Sequence, residues 1–283
     1  MVEPTSAVGG PLHALARDTL VVRGVDRKTW LDGLLTCAVV GVGGTEAGYG
    51  LLLTKQGKIV TDVFLLDDGQ RLFVGVAAGR GAAVRELLDR YLVMEDAELE
   101  LPTEALAWRI AASPATGLEP DAVVQGALKL GALEARLFLS ARPAETLTDA
   151  AQLFAQYGLG TFGVDFDERD NPHEASLDRI AVSWSKGCYL GQEVVCMQDM
   201  RGRVKRRLIA LDAGAALLGA DASRKDVLAA DGSVAGQVSS VYPAPGGARV
   251  LASISAPALE SPGELSVLGE RVRVAFGATG NLG

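Results

Sequence analysis

The chain has 283 residues, 48% hydrophobic and 22% charged, and its 35 acids against 27 bases leave a net charge of −8. These values exclude wholesale disorder, a collagen-like or coiled-coil rod and a disulfide scaffold, and predict about two domains, or three small ones. The negative total argues against a surface coated in base for non-specific nucleic-acid binding, although it leaves room for a local basic patch.

In chain order, the opening stretch to Asp18 has neither a basic n-region nor a long apolar segment, so no secretory leader is predicted. Leu20 to Val22 reads as a short strand. Asp26 is placed to cap a helix carrying Trp30, Leu31, Leu34 and Leu35. Leu51–Leu53 and Lys58–Leu66 read as two strands joined around Gln56-Gly57, and a turn at Asp67-Asp68-Gly69 leads into a strand over Arg71–Val76. Helical spacing runs from Gly81 to Leu92 (Val84, Leu87, Leu88, Tyr91, Leu92), and Ala97–Leu101 alternates like a half-buried strand. Strands are predicted at Trp108–Ala112 and Glu134–Leu139, with a helix at Thr146–Gln156. This order suits split β–α–β units better than a parallel doubly wound sheet. After Arg207 the helix signal nearly vanishes. Short alternating runs at Leu208–Leu211, Val234–Val241, Val250–Ser255 and Arg271–Phe276, divided by Gly/Pro/Asp turns, predict a small barrel. The boundary falls near residues 205–210.

Three cysteines, Cys37, Cys188 and Cys196, are too few for a disulfide framework, and no run reaches the roughly 18–20 apolar residues of a membrane helix. A soluble cytoplasmic protein is the expectation, with no membrane partner and no direct nucleic-acid binding.

The most unusual stretch is Ser185-Lys186-Gly187-Cys188-Tyr189-Leu190-Gly191-Gln192-Glu193. Its glycines allow tight turns and close approach to a ligand, and Gln192 and Glu193 offer groups suited to the edge of a heterocycle. Cys188 is either a nucleophile, with Lys186 nearby to favour its thiolate, or a buried cysteine in a shaped turn. Arg201, Arg203, Lys205, Arg206 and Arg207 put five bases in seven residues, read as a solvated face or as a site for an anionic ligand tail. The acidic stretch Asp165, Asp167, Glu168, Asp170, Glu174, Asp178 fails the calcium-loop template at Arg169 and Asp170. His13 and His173 lie at no zinc spacing, Gly41-Val42-Gly43-Gly44 lacks the lysine of a phosphate loop, and no nucleophile elbow is present. No metal site is predicted, a site shared by the three thiols being the weaker alternative.

Lys186 to Glu193 resembles the K-G-C-[YF]-x-G-Q-E signature of the YgfZ-type folate-binding proteins, relatives of the glycine-cleavage T-protein, an aminomethyltransferase. Gly163–Asp167 with Pro172–Leu177, Gly24–Arg27, Gln56–Asp62, Arg201-Gly202 and Lys205–Leu208 resemble flanking segments of that family. The resemblance covers roughly residues 20 to 210. It implies an α+β fold of two interleaved, discontinuous ferredoxin-like units around a central folate-sized hole within residues 1–207, followed by a C-terminal small β-barrel over 208–283. It implies tetrahydrofolate as cofactor, with Glu174, Lys186, Tyr189, Gln192, Glu193 and Arg201 as candidate binding residues and Cys188 and Asp62 as candidate catalytic ones. Glu174 matches the glutamate of the L-E-A-G-L segment that contacts the pterin in T-protein relatives. In the G-x-x-x-D-D segment Thr61 replaces the first acid, which turns the expectation away from aminomethyl transfer. The sequence also departs from the family at Cys196-Met197, where Ala-Arg is usual, and at Met200, where Tyr is usual. The leading expectation is folate-dependent support of iron–sulfur cluster assembly or repair, with assembly or client proteins as partners. The rivals are a folate-dependent aminomethyl or one-carbon transferase and an interaction scaffold with a vestigial pocket.

Overall fold

The structure is a computed structural model and describes residues 11–113, 121–141, 147–202, 204–260 and 263–276. These divide into two compact units, the first made of residues up to 54, 60–150 and 181–192, the second of 55–59, 151–180 and 193 onward.

In the first unit β1 (Leu12–Leu15) and β2 (Arg17–Arg23) are separated by Ala16 alone, yet they enter different sheets. After β2 come α1 (Arg27–Asp32), β3 (Gly48–Leu53), β4 (Ile59–Asp67), β5 (Leu72–Ala77), α2 (Gly81–Asp89) and β6 (Glu98–Glu100). The strands among these form a sheet of order β3-β4-β5-β2-β6. The chain then returns to the sheet that β1 began, through β7 (Ala107–Ala112), β8 (Ala122–Leu130), β9 (Leu133–Ser140) and β10 (Thr148–Asp149), in the order β10-β1-β7-β9-β8. This is the interleaving that the resemblance implies. The pairs β2–β5, β4–β5, β1–β7 and β7–β9 are antiparallel, so a doubly wound parallel sheet is absent from the described residues.

Burial of alternate apolar residues drives the assembly. Leu20, Val22, Val63, Leu65, Val74 and Val76 on one sheet face pack with Trp30 and Leu31 of α1 and Val84 and Leu88 of α2. Each such side chain contributes roughly 1.5–3 kcal/mol on burial. Between the sheets Trp108 is fully buried against Gly75, where a Cβ would lie 2.7 Å from the indole Cε2, and its Nε1 donates to Thr19 Oγ1 at 2.9 Å.

Two helices differ from the spacing. The predicted helix through Leu35 ends at Asp32, because the Asp32 carboxylate accepts from Val39 N at 2.7 Å and holds the chain in a turn. Leu34 and Leu35 still reach the core. The helix predicted over Thr146–Gln156 is α3 (Ala150–Gln156); Thr148 and Asp149 pair with β1 as β10, and Thr146 lies outside the described residues.

In the second unit α4 (Gln192–Arg201), which follows the signature loop, leads towards a closed six-stranded barrel of order β11-β14-β13-β12-β15-β16. Its strands are β11 (Arg206–Ala213), β12 (Asp226–Ala229), β13 (Val234–Ala244), β14 (Gly247–Ser255), β15 (Leu265–Val267) and β16 (Glu270–Phe276), with a short α5 (Ala256–Glu260). Inward residues such as Leu211, Val227, Val238, Val250, Ile254 and Val267 fill it. Arg249 of β14 donates to the carbonyl of Gln156 at 3.0 Å, satisfying the C-terminal end of α3.

Candidate functional site

The signature loop is fastened to the segment after α1. Thr36 Oγ1 donates to the Ala181 carbonyl at 2.6 Å and accepts from Leu51 N at 2.8 Å, while Ser183 N donates to the Thr36 carbonyl at 2.9 Å. Lys186 is sunk into the same segment. Its ammonium donates to the carbonyls of Asp32, Leu35 and Cys37, pairs with the Asp32 carboxylate at 3.3 Å, and stands 5.7 Å from the centre of the Tyr189 ring. Three N–H donors meet three carbonyls, so Lys186 holds the loop in place. Tyr189 is buried with it, and Cys188 between them is left exposed. Gly191 takes φ +81°, and Gln192 opens α4 with Glu193 exposed in its first turn, where a carboxylate suits the helix dipole.

The three thiols differ in character. Cys37 is buried against Gly50, whose Cβ would lie 2.4 Å from its Sγ, and burial pushes its thiol up to about 12. It is an inert packing residue. Cys196 is half-buried on α4.

Asp62 of β4 is buried and paired with Arg17 through both carboxylate oxygens, the Nη2–Oδ2 contact being 2.9 Å, and it accepts from Tyr49 Oη at 3.3 Å. Burial and the neighbouring carboxylate hold the Tyr49 hydroxyl well above its usual range. Thr61, where the transferase segment carries an acid, is buried too; it donates to the Asp62 carbonyl at 2.9 Å and accepts from Ala77 N at 3.1 Å. Both side chains are thus committed within the first unit.

In the second unit Glu174 accepts from Asn171 Nδ2 at 2.8 Å, Asn171 N at 3.2 Å and Lys58 Nζ at 3.3 Å. Lys58 also donates to the Arg169 carbonyl at 2.6 Å. His173, Asp178 and Asp199 bring ligand-type atoms within 4.8 Å of one another. Arg207 pairs with Asp178 at 3.0 Å and Arg179 with Asp199 at 2.9 Å, so both carboxylates are already matched by guanidinium groups. Burial holds the His173 imidazole below its usual value. The trio is a charge-balanced joint between the 173–179 segment, α4 and β11.

The basic run is divided by these contacts. Arg206 pairs with Asp170 at 2.7 Å and Arg207 with Asp178, whereas Arg201 lies exposed in the last turn of α4; Arg203 lies outside the described residues. Arg201 joins Val194, Met197 and Gln198 in lining a cavity of about 700 Å³ along one helix face. Gln198 Oε1 is buried with no hydrogen-bond partner among the described residues. Gln198 was not singled out from sequence, and Met197 only as a departure from the family, although positions 194, 197, 198 and 201 carry the i, i+3, i+4, i+7 spacing of a helix face. Tetrahydrofolate needs acceptors for the N–H groups of its pterin and a cation for its carboxylate tail. Arg201, exposed beside a cavity of ligand size, fits the carboxylate tail, whereas the Gln198 amide oxygen is buried away from it.

No family model matches the chain. Three curated relatives are fungal proteins described as iron–sulfur cluster assembly factor IBA57 homologues, mitochondrial. The chain is 27% identical over 238 residues to that of Chaetomium globosum (69% of this chain, 54% of the relative), and 26% identical over 216 residues to that of Pyricularia oryzae (69% and 55%). With that of Neurospora crassa it shares 24% over 236 residues (72% and 54%). The chain spans about half the length of these relatives. Among solved structures, the glycine cleavage system aminomethyltransferase T from Bartonella henselae superposes with a TM-score of 0.73 at 14% identity, covering 94% of this chain and 84% of that one. The chain thus has the T-protein fold and is similar in sequence to IBA57 homologues, which bears out the resemblance to the YgfZ-type family that its signature carries.

Proposed function

We propose that this protein binds tetrahydrofolate and supports iron–sulfur cluster assembly or repair, with assembly or client proteins as its partners. The observation that carries the folate reading is the α4 face, where Gln198 and Arg201 line a cavity of about 700 Å³. Arg201 would hold the tail carboxylates; Lys186, Tyr189, Gln192 and Glu193 are further proposed ligand-binding residues, whereas the Glu174 carboxylate is already held by Asn171 and Lys58. Bound tetrahydrofolate would supply a reduced pterin able to carry one-carbon units. Cys188 is the proposed reactive residue, presented on a loop that Lys186 and Thr36 keep fixed while its own thiol stays exposed. Residues 1–207 are read as the folate-binding region and 208–283 as the barrel domain. The location is proposed to be cytoplasmic, from three free thiols; the named relatives are mitochondrial, and fractionation decides between the two. No helix among the described residues is long and apolar enough to cross a membrane.

A folate-dependent aminomethyl transferase is the second reading, favoured by the fold. Against it, the Gly57–Asp62 segment presents no uncommitted carboxylate, since Thr61 stands in place of one acid and Arg17 locks the other.

Calorimetry with a reduced folate tests the leading reading. Saturable binding that weakens about tenfold or more in Arg201→Gln is expected, from loss of a charged hydrogen bond. Absence of heat and of any thermal shift at millimolar ligand refutes it. Cys188→Ala should abolish rescue of iron–sulfur enzyme activity while leaving the fold intact; full rescue removes the cysteine from the mechanism.

A further inference from the structure

We propose that the second unit carries a separate small-molecule site, a polar cleft on the barrel that binds a phosphate monoester of a small hydroxylated compound, with Arg224 as its cation. The cleft has a volume of about 430 Å³ and lies between the 163–174 segment and strands β11, β13 and β14.

The inventory of charges in it selects the ligand. Arg169 is held by Asp167 through contacts of 2.6 and 3.0 Å, and Arg206 by Asp170 at 2.7 Å. The carboxylate of Asp165 accepts from Ser240 Oγ at 2.5 Å and from Thr161 N at 2.9 Å, and that of Glu174 from Asn171 and Lys58. Every other charged side chain lining the cleft is therefore committed. Arg224 is exposed and lines the cleft with no side-chain acceptor among the described residues, and Ser239 and Ser253 line it as well. A planar fork of N–H donors beside hydroxyl donors matches the three terminal oxygens of a phosphate. The volume far exceeds that of a bare phosphate and falls in the range of small-metabolite pockets, and the mainly polar lining calls for hydroxyl groups on the remainder.

The backbone at Arg224 is the independent observation. It takes φ +60°, one of three non-glycine residues in the left-handed region among the described residues. Its N–H donates to the Val238 carbonyl at 2.9 Å and its carbonyl accepts from Gln237 Nε2 at 3.1 Å, so β13 imposes this conformation. Glycine would occupy the position at lower conformational cost, yet the residue there is an arginine lining the cleft.

Titration of the full chain with ribose 5-phosphate, inorganic phosphate and ribose, followed by calorimetry and thermal shift, tests the assignment. Ribose 5-phosphate should bind saturably and about tenfold or more tighter than ribose, as expected for a charged hydrogen-bonded group. Arg224→Gly, which suits the backbone, should lose that binding with the unfolding midpoint unchanged or raised; Arg224→Asn, which also tolerates φ above zero, should do the same. Arg169→Gln should change affinity less than about twofold, its cation being committed to Asp167. No saturable binding of any probe up to about 10 mM would overturn the proposal, as would full binding by Arg224→Gly. Inorganic phosphate binding as tightly as the ester would overturn the assignment to a monoester. Displacement of ribose 5-phosphate by a reduced folate would overturn the separateness of the cleft, and the folate test above stands whichever way this one falls.

Discussion

Ser176 lies in the His-Glu-Ala-Ser-Leu segment at the place where the transferase segment carries glycine, and replacing it by glycine should make the protein more stable. Its φ is +58°, and its hydroxyl is buried, with the residue only 3% exposed and no hydrogen-bond partner for Oγ among the described residues. A side chain held in the left-handed region costs about 1–2 kcal/mol. A buried hydroxyl without a partner costs about 1–3 kcal/mol more. Against these gains, glycine adds unfolded-state entropy worth about 0.5–1 kcal/mol. The balance is a stabilisation of about 1–4.5 kcal/mol, equivalent to roughly 2–4 °C in melting temperature per kcal/mol for a chain of this size class. Equilibrium urea unfolding of the wild type, Ser176→Gly and Ser176→Ala measures it. The alanine variant removes the hydroxyl and keeps the backbone strain, so it should fall between the other two. A glycine variant no more stable than wild type, with an unchanged m-value, would refute the reasoning.

Two further outcomes are expected. Burial raises the Asp165 carboxyl to about 6, so the folded state favours the neutral acid; that stability is fully present below the unfolded value near 3.8 and is lost as pH rises through about 6. Asp165→Asn reproduces the neutral acid, with an oxygen for Thr161 N and an amide for Ser240; it should match wild type near pH 4 and exceed it by up to about 3 kcal/mol at pH 8, read from unfolding curves across pH. Lys186→Met should cost about 3–5 kcal/mol, because it strands the carbonyls of Asp32, Leu35 and Cys37. Limited proteolysis should then cut first within residues 183–191, and protection equal to wild type would show that the ammonium does not fasten the loop.

The sequence by itself determined the elements whose signals are local. Runs of strand-forming residues marked β2, β3, β4, β5, β7 and β9, and alternation marked β6 and the barrel strands β11, β13, β14 and β16, because a strand with one buried face repeats every two residues. The spacing of Val84 and Leu88 marked α2, and the glycines and charge of residues 185–193 marked the signature loop. No such signal marked the short β1, β10, β12, β15 and α5, nor the longer β8 and α4: β8 buries only Gly126, Leu128 and Leu130 of nine residues, and α4 buries only Val195.

Which side chains remain available to a ligand was decided only by the tertiary structure. Lys186 meets carbonyls about 150 residues earlier, Asp62 meets an arginine 45 residues earlier, and Arg207 meets an acid 29 residues earlier. A charged residue that is buried must find a partner of opposite charge or a set of hydrogen bonds, and the partner is chosen by which strands lie side by side. No local periodicity encodes that choice. The same pairing of charges leaves Arg201 on the α4 face and Arg224 on the barrel cleft facing open volume, and makes them the cations to test.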